Sequence, residues 1–264
     1  MSHPYVLASD FDGTLKQHHR ISEADRQAIL TFRQAGHRFG VITGRSYAMI
    51  AKELHHENIP VDFLVCNNGA LIYDEHGTLL DEAVLDPHTV AGILAMLDAE
   101  PDILYGAGGS VGFFSHARGT VSSTVATENI QRLALDRDSV LAKNHITAFF
   151  IRTSNRDHTL ALSATILECF PDVEAHINSD TVDIGPRGHD KGTGILKLAQ
   201  LYPHAEIIAI GDHLNDLPMI KAVRSFAIAS GHPELQDHTE NVVHSVSDCI
   251  EHLLEEKRGS PVFL

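Results

Sequence analysis

The sequence predicts an α/β fold: a parallel sheet with helices between its strands, interrupted by an α+β insertion. Three observations carry this. From Tyr5 to Cys66 short apolar runs alternate with amphipathic stretches in the order strand, helix, strand, helix, strand, the pattern of a parallel sheet closed by right-handed crossovers. Between about Asp81 and Gly185 that rhythm gives way to strand pairs and helices without glycine-rich strand ends. From Lys191 the parallel rhythm resumes and runs to Glu256.

The elements follow in order. Tyr5 to Ala8 is the first strand, and Asp10-Phe11-Asp12-Gly13-Thr14 stands directly behind it. Ser22 is placed as a helix N-cap, Ala28, Ile29, Phe32 and Ala35 repeat at helical spacing, and Gly36 supplies the stop. Phe39 to Ile42 is a buried strand ending in Thr43-Gly44-Arg45, and a helix covers about Ser46 to Leu54 before Pro60. Phe63 to Cys66 is the third strand, ending in Asn67-Asn68-Gly69-Ala70, and Ala70 to Tyr73 with Thr78 to Leu80 forms a hairpin. The insertion holds helices over His88–Ala99, near Thr124–Leu135 and over Thr159–Phe170, and a strand over Ile146–Arg152. Two short strands flank a Gly106 to Gly109 bend, read as a plain turn, and a last strand pair surrounds Ser179-Asp180. A helix over Thr193–Leu201 then leads into the apolar strand Ile207–Ile210, ending in Gly211-Asp212-His213-Leu214-Asn215-Asp216. Phe226–Ala229, Val242-Val243 and a helix over Val246–Glu256 extend the sheet, and Lys257 to Leu264 is a loose tail.

Composition narrows the function classes. With 264 residues, 43% hydrophobic and 21% charged, the chain has the make-up of a soluble protein of one domain plus an inserted second. A net charge of -15 without a basic block excludes nucleic acid and anionic membrane as main partners. No apolar run approaches the roughly 20 residues that span a bilayer. The three cysteines have no metal-ligand spacing and the first residues lack a signal-peptide layout, so a reducing cytoplasm is expected. The histidines, including His18-His19 and His55-His56, read as solvated surface, and His213 as a solvent-facing helix-start residue.

The chemistry gathers at the strand ends, which in a parallel sheet share one edge. Asp10 and Asp12 lie one residue apart, and carboxylates so close demand a cation or a shared proton. Thr43 with the Gly44 and Arg45 amides offers donors at a helix start, suited to an anion. Lys191 adds a point charge beside another helix start, and Asp212 with Asp216 adds negative charge. Carboxylates seeking a hard cation and donors seeking an anion are satisfied together by phosphate bridged by magnesium, Mg2+.

These stretches resemble the four motifs of the haloacid dehalogenase superfamily: Asp10-Phe11-Asp12-Gly13-Thr14-Leu15, Thr43-Gly44-Arg45, Lys191-Gly192, and Gly211-Asp212 with Asn215-Asp216. The Asn67-Asn68-Gly69-Ala70 turn, Leu217-Pro218-Met219, and about a hundred residues inserted between the second and third motifs are similar to Cof-type phosphatases with a type IIB cap. The resemblance implies a Rossmann-like core over 1–81 and 186–264 and a cap over 82–185. It implies Asp10 as nucleophile, Asp12 as general acid and base with a raised proton affinity, and magnesium held by Asp10, the Asp12 carbonyl and Asp212. Thr43, Gly44, Lys191 and Asn215 would hold the phosphate oxygens, with Asp216 supporting. Two departures stand beside the motifs: Ala229-Ser230-Gly231-His232 replaces a common Ala-Asn-Ala turn, and Gln236 a usual lysine. The implied activity is hydrolysis of a small phosphorylated metabolite, foremost a sugar phosphate, by a monomer or small homo-oligomer. A sugar phosphomutase or a non-catalytic phosphometabolite sensor are the alternatives.

Overall fold

A computed structural model describes residues 3–123, 130–178, 181–239 and 241–259. Among these the core is an eight-stranded sheet in the order β13-β12-β11-β1-β2-β3-β4-β5. Its strands are β1 (Tyr5–Ser9), β2 (Arg38–Ile42), β3 (Phe63–Cys66), β4 (Leu71–Asp74), β5 (Leu79–Glu82), β11 (Glu206–Gly211), β12 (Arg224–Ile228) and β13 (Asn241–Val243). From β13 to β3 every pairing is parallel, whereas β4 and β5 form the antiparallel hairpin at one edge. The chain runs outward from β1 through β2 and β3, and outward the other way from β11 through β12 and β13. The β1–β11 seam is therefore the switch point of the sheet, beyond whose carboxyl end open α/β folds bind ligands.

Helices cover both faces of this sheet. On one lie α1 (Glu23–Gln34), α2 (Tyr47–His56) and α9 (Val246–Gly259), whose Ile29, Phe32, Ile50, Cys249 and Leu253 pack with Leu7, Val41 and Ile210. On the other, α6 (Lys191–Leu201) and α7 (Leu217–Ala222) bury Ile195, Leu198, Met219 and Ile220 against Val6, Ala8 and Ala209. Alternate residues of β1 thus feed two cores, which explains why the strand is apolar throughout. The Ser22 hydroxyl caps α1 by accepting from the Asp25 N–H at 3.0 Å, as its position predicts. The last helix, α9, runs past the expected start of the tail. Lys257 and Arg258 occupy its final turn, where cations suit the dipole, and Lys257 Nζ donates to the His3 carbonyl at 2.7 Å. The rest of the expected tail, 260–264, lies outside the described residues.

The inserted α+β cap has a second, wholly antiparallel sheet in the order β7-β6-β8-β10-β9. Its strands are β6 (Ile103–Gly109), β7 (Gly112–Arg118), β8 (Ala148–Thr153), β9 (Val173–Ile177) and β10 (Val182–Pro186). Two helices, α3 (Pro87–Ala99) and α5 (Arg156–Cys169), pack Ile93, Leu97 and Ile166 against Tyr105, Ile151 and Ile184. The short α4 (Arg137–Leu141) had no sequence signal strong enough to be expected, and α8 (Pro233–Gln236) is another single turn.

Several expectations for the cap need correction. Gly106 to Gly109 is not a bend but the second half of β6. A Cβ on Gly106 would strike the Phe150 ring and one on Gly108 would strike Phe113, so these glycines make room for side chains from neighbouring strands. Of the helix expected near Thr124–Leu135, residues 124–129 lie outside the described residues, and Ala134 and Leu135 are not helical. There the Leu135 N–H donates to the Phe113 carbonyl at 2.8 Å, which draws the chain out of helical geometry. Ser179 and Asp180 also lie outside the described residues, with β9 and β10 on either side. Among the described residues no helix is long and apolar enough to cross a membrane.

Candidate active site

A cavity of about 500 Å³ opens over the β1–β11 seam, between the core and the cap sheet. Asp10, Asp12, Thr43, Gly44, Lys191, Asp212 and Asn215 all line it, so the structure brings together residues drawn from four separate stretches of sequence. Asp10 is the first residue after β1, fixed by its N–H donating to the Ile210 carbonyl at 2.9 Å. Lys191, at the start of α6, is only 1% exposed and donates to Asp10 Oδ1 and Asp216 Oδ1, both at 2.6 Å. Asp216 is wholly buried behind it, and its Oδ2 accepts from the Asp212 and His213 N–H groups at 2.9 and 3.0 Å. With both oxygens committed to protein donors, Asp216 positions Lys191 and the Asp212 turn. It takes no place as a free ligand.

Asp212 follows β11 and faces Asp10 across the seam. Its Oδ1 accepts from the Thr14 hydroxyl at 2.6 Å, and any side chain on Gly13 would collide with its carboxylate. Gly13, at φ +92°, is therefore required twice, for the turn and for the close approach. The departure turn packs directly behind Asp212. The His232 N–H donates to the Asp212 carbonyl at 2.7 Å, and Gln236 Nε2 donates to the Ala229 carbonyl at 3.1 Å. These two unusual residues thus serve local packing.

Carboxylate oxygens of Asp10, Asp212 and Asp216 lie within 4.8 Å of one another. Burial, joined by the Asp216 and Asp212 charges and opposed by Lys191, holds the Asp10 carboxyl well above its ordinary range. Burial likewise raises Asp212, against the Thr14 hydrogen bond and with the Asp216 charge adding to the rise. Burial works against the Lys191 charge, but Asp10 and Asp216 outweigh it and hold the ammonium above its ordinary range. Three clustered carboxylates, those of Asp10 and Asp216 buried and that of Asp212 partly so, with one buried ammonium are short of positive charge. The carboxylate oxygens of Asp10 and Asp212, with Asp216 behind them adding negative charge, fit a hard divalent cation.

At the other side of the cavity Thr43 is buried, with the Arg45 N–H donating to its Oγ1 at 3.2 Å. The Gly44 N–H has no backbone acceptor among the described residues. Asp12 turns outward, 56% exposed, and is gripped on both oxygens by the Arg45 guanidinium at 2.7 and 2.6 Å. Arg45 also pairs with Glu53, itself paired with Lys16, and its guanidinium lies 4.9 Å from the centre of the Phe11 ring. Sequence reasoning found the Thr43-Gly44-Arg45 turn but missed this side-chain clamp.

The cap supplies residues with no expected role. Asp183 of β10 is buried beside Gly44. Its Oδ2 accepts from Asn68 Nδ2 at 3.1 Å and from Asn178 Nδ2 at 3.0 Å. Burial pushes this carboxyl up to about 7, against those hydrogen bonds. Asn215, expected at phosphate, donates instead to Asn178 Oδ1 at 3.0 Å and so ties the core to the cap. Asn67 makes a second tie, donating to the Thr147 hydroxyl at 2.6 Å. Asn67 and Asn68 both adopt left-handed backbone, φ 49° and 52°, which turns them toward the cap. His213 does not face solvent as expected: it lines the cavity, and its buried Nδ1 has no partner among the described residues. The visible signal for Asp183 was a carboxylate inside the apolar run Val182-Asp183-Ile184.

Comparison with known proteins agrees with this architecture. The pyridoxal phosphate phosphatase YbhA of Escherichia coli is 25% identical over 238 residues, 82% of this chain and 84% of that protein. A phosphatase of the HAD superfamily from Bacteroides thetaiotaomicron superposes with a TM-score of 0.77 at 19% identity, covering 96% of this chain and 95% of that one. A HAD subclass IIB sugar phosphatase superposes equally well, TM-score 0.77 at 16% identity, over 94% and 98% of the two chains. The family model for haloacid dehalogenase-like hydrolases matches residues 7–251, and the chain belongs to that family as a Cof-type, cap-bearing member.

Proposed function

We propose that the protein is a magnesium-dependent phosphatase of small phosphomonoesters that works through an aspartyl-phosphate. The carrying observation is that Asp10, Asp12, Thr43, Gly44, Lys191 and Asp212 line one cavity at the switch point of the sheet. The Asp10 oxygen not bonded by Lys191 attacks phosphorus in line, and the ester P–O bond breaks as Asp12 gives its proton to the leaving oxygen. Asp12 then takes a proton from water, whose oxygen attacks phosphorus and frees Asp10. Lys191, the Thr43 hydroxyl and the Gly44 N–H hold the equatorial oxygens, where negative charge sits in the transition state. Asp10, Asp212 and the Asp12 carbonyl would hold magnesium, which neutralises charge on the phosphoryl oxygens. The Arg45 grip on Asp12 keeps the acid at the cavity rim and must loosen or move with it when the proton is passed on. Asn215 and Asp216 support the site by tying down the cap and Lys191.

The core is taken as 1–81 and 186–264 and the cap as 82–185, the cap closing over bound substrate. Among the relatives, one is named for pyridoxal phosphate and another for sugar phosphates, so both kinds of leaving group come into consideration. Cys66, Cys169 and Cys249 are unpaired, in keeping with a cytoplasmic setting. The test is phosphate release from a panel of phosphomonoesters, with magnesium and with chelator, by wild type and Asp10→Asn. Magnesium-dependent release lost in the variant is expected. Conversion of a hexose phosphate to an isomer without release would replace this reading with a mutase, and no turnover of any kind with a sensor.

A further inference from the structure

The wall of the cavity opposite Asp10 is one face of the cap sheet, and its make-up discriminates between leaving groups. Along one row Gly108 of β6 stands between Phe113 of β7 and Ala148 of β8. In the next row Gly106 stands between Ser115 and Phe150, and Asp183 follows Phe150. Because Gly106 has no Cβ, the Phe150 ring lies down over the strand, and the missing Cβ of Gly108 lets the Phe113 backbone and Cβ come close. The two rings meet edge to face, 6.3 Å between centres at 71°. Met49 and Ile130 extend the apolar surface at the cavity margin.

Among the described residues polar groups on this side are few. Asn178 is committed at both ends, accepting from Asn215 and donating to Asp183. What remains among the described residues lining the cavity is Asp183 Oδ1, the Thr181 hydroxyl, His213 Nδ1 and the Ser46 hydroxyl, and the Ser115 hydroxyl in the row of Gly106 is also without a partner. A hexose carries hydroxyls all round its rim, and with so few polar groups here several would lose water without gaining a partner, which opposes binding. A flat ring instead gains area against the rings and needs hydrogen bonds only at its edge.

We infer that the substrate is a single aromatic or heteroaromatic ring bearing a hydroxymethyl phosphate, the ring stacked on Phe150 and bordered by Phe113, with Asp183 bonded to a polar donor on its edge. The inference rests on the phosphatase reading and narrows it, away from the sugar phosphates expected from the sequence. The carboxyl of Asp183, pushed up to about 7 by burial, can accept from such a donor when ionised or donate to an edge nitrogen when protonated.

The experiment compares kcat/KM for pyridoxal 5′-phosphate, benzyl phosphate and glucose 6-phosphate, in magnesium, for wild type, Phe150→Ala, Phe150→Leu and Asp183→Asn. Wild type is expected to prefer the two aromatic esters over glucose 6-phosphate by at least about tenfold. Phe150→Ala should lower that preference about tenfold. Phe150→Leu, which keeps apolar volume over Gly106 if the smaller residue unfolds the cap, should lower it by a lesser factor. Asp183→Asn should penalise pyridoxal 5′-phosphate and spare benzyl phosphate, which has no edge donor. Equal or better turnover of glucose 6-phosphate, or a preference unmoved in both folded Phe150 variants, overturns the inference and leaves the phosphatase reading standing. Phosphate release from none of the esters overturns both.

Discussion

Asp183→Asn isolates the energetic cost of one buried acid. The carboxyl is pushed from an ordinary 3.8 to about 7, with burial as the leading cause. Holding it ionised in the folded state therefore costs on the order of 4 kcal/mol. The sign follows from proton binding. Below about pH 4 the acid is protonated folded and unfolded alike and costs nothing extra. Between about pH 4 and pH 7 the unfolded chain loses its proton first, so stability falls as pH rises, and above pH 7 the loss is complete. Asparagine keeps the shape and one carbonyl oxygen for the Asn68 and Asn178 donors but does not titrate. Urea unfolding without magnesium, from pH 4.5 to pH 8, should show the variant gaining on wild type with rising pH, by about 3 kcal/mol over that range. Other titrating groups cancel in the difference between the two proteins. A difference that stays flat with pH, or that shifts in favour of wild type, would refute the assignment of a buried, proton-retaining Asp183.

Three further outcomes are expected. Lys191→Met leaves Asp10 and Asp216 facing each other without their shared cation, so urea unfolding should show a loss of about 3–5 kcal/mol and turnover should disappear. Gly44→Ala places a Cβ 2.8 Å from Asp183 Oδ2 and little farther from the Asn68 amide, so a drop in kcat/KM with a lowered Tm is expected from forcing the cap away. Magnesium at a hundredfold excess over its Kd should raise wild-type stability by about 2.7 kcal/mol in thermal unfolding, and Asp212→Asn should lose most of that gain.

The core and its acids were legible because each core strand is an apolar run stopped by a short polar cluster, a pattern set by burial on both faces of a parallel sheet. Asp10, Thr43 and Asp212 each stand at such a stop and Lys191 at a helix start, and the topology does the rest by bringing them to one edge. The cap was less legible for a physical reason. Its sheet is covered by helices on one side and faces a cavity on the other, so Gly106 and Gly108 read as a bend when they belong to a wall. Two glycines spaced like a strand's own alternation were the sign that something must lie close. The Arg45 grip on Asp12 and the turn of His213 into the cavity depend on side-chain geometry between distant segments, which no local spacing encodes. Asn215 lines the cavity, but its partner Asn178 belongs to the cap, and no local spacing shows that bond.

The pairing of Tyr5 with Glu206 also constrains how the chain is made. The central strand of the core is synthesised first, but the neighbour that completes its pairing emerges only after the entire cap. During translation the early β1–β2–β3 segment must wait with one long edge exposed, while the cap sheet, whose pairings all lie within the insertion, already has its partners. Long-range pairing of this sort slows folding and leaves strand edges open to mispairing. A nascent chain stopped after Pro186 is thus expected to protect the cap amides from exchange while those of β1 remain open.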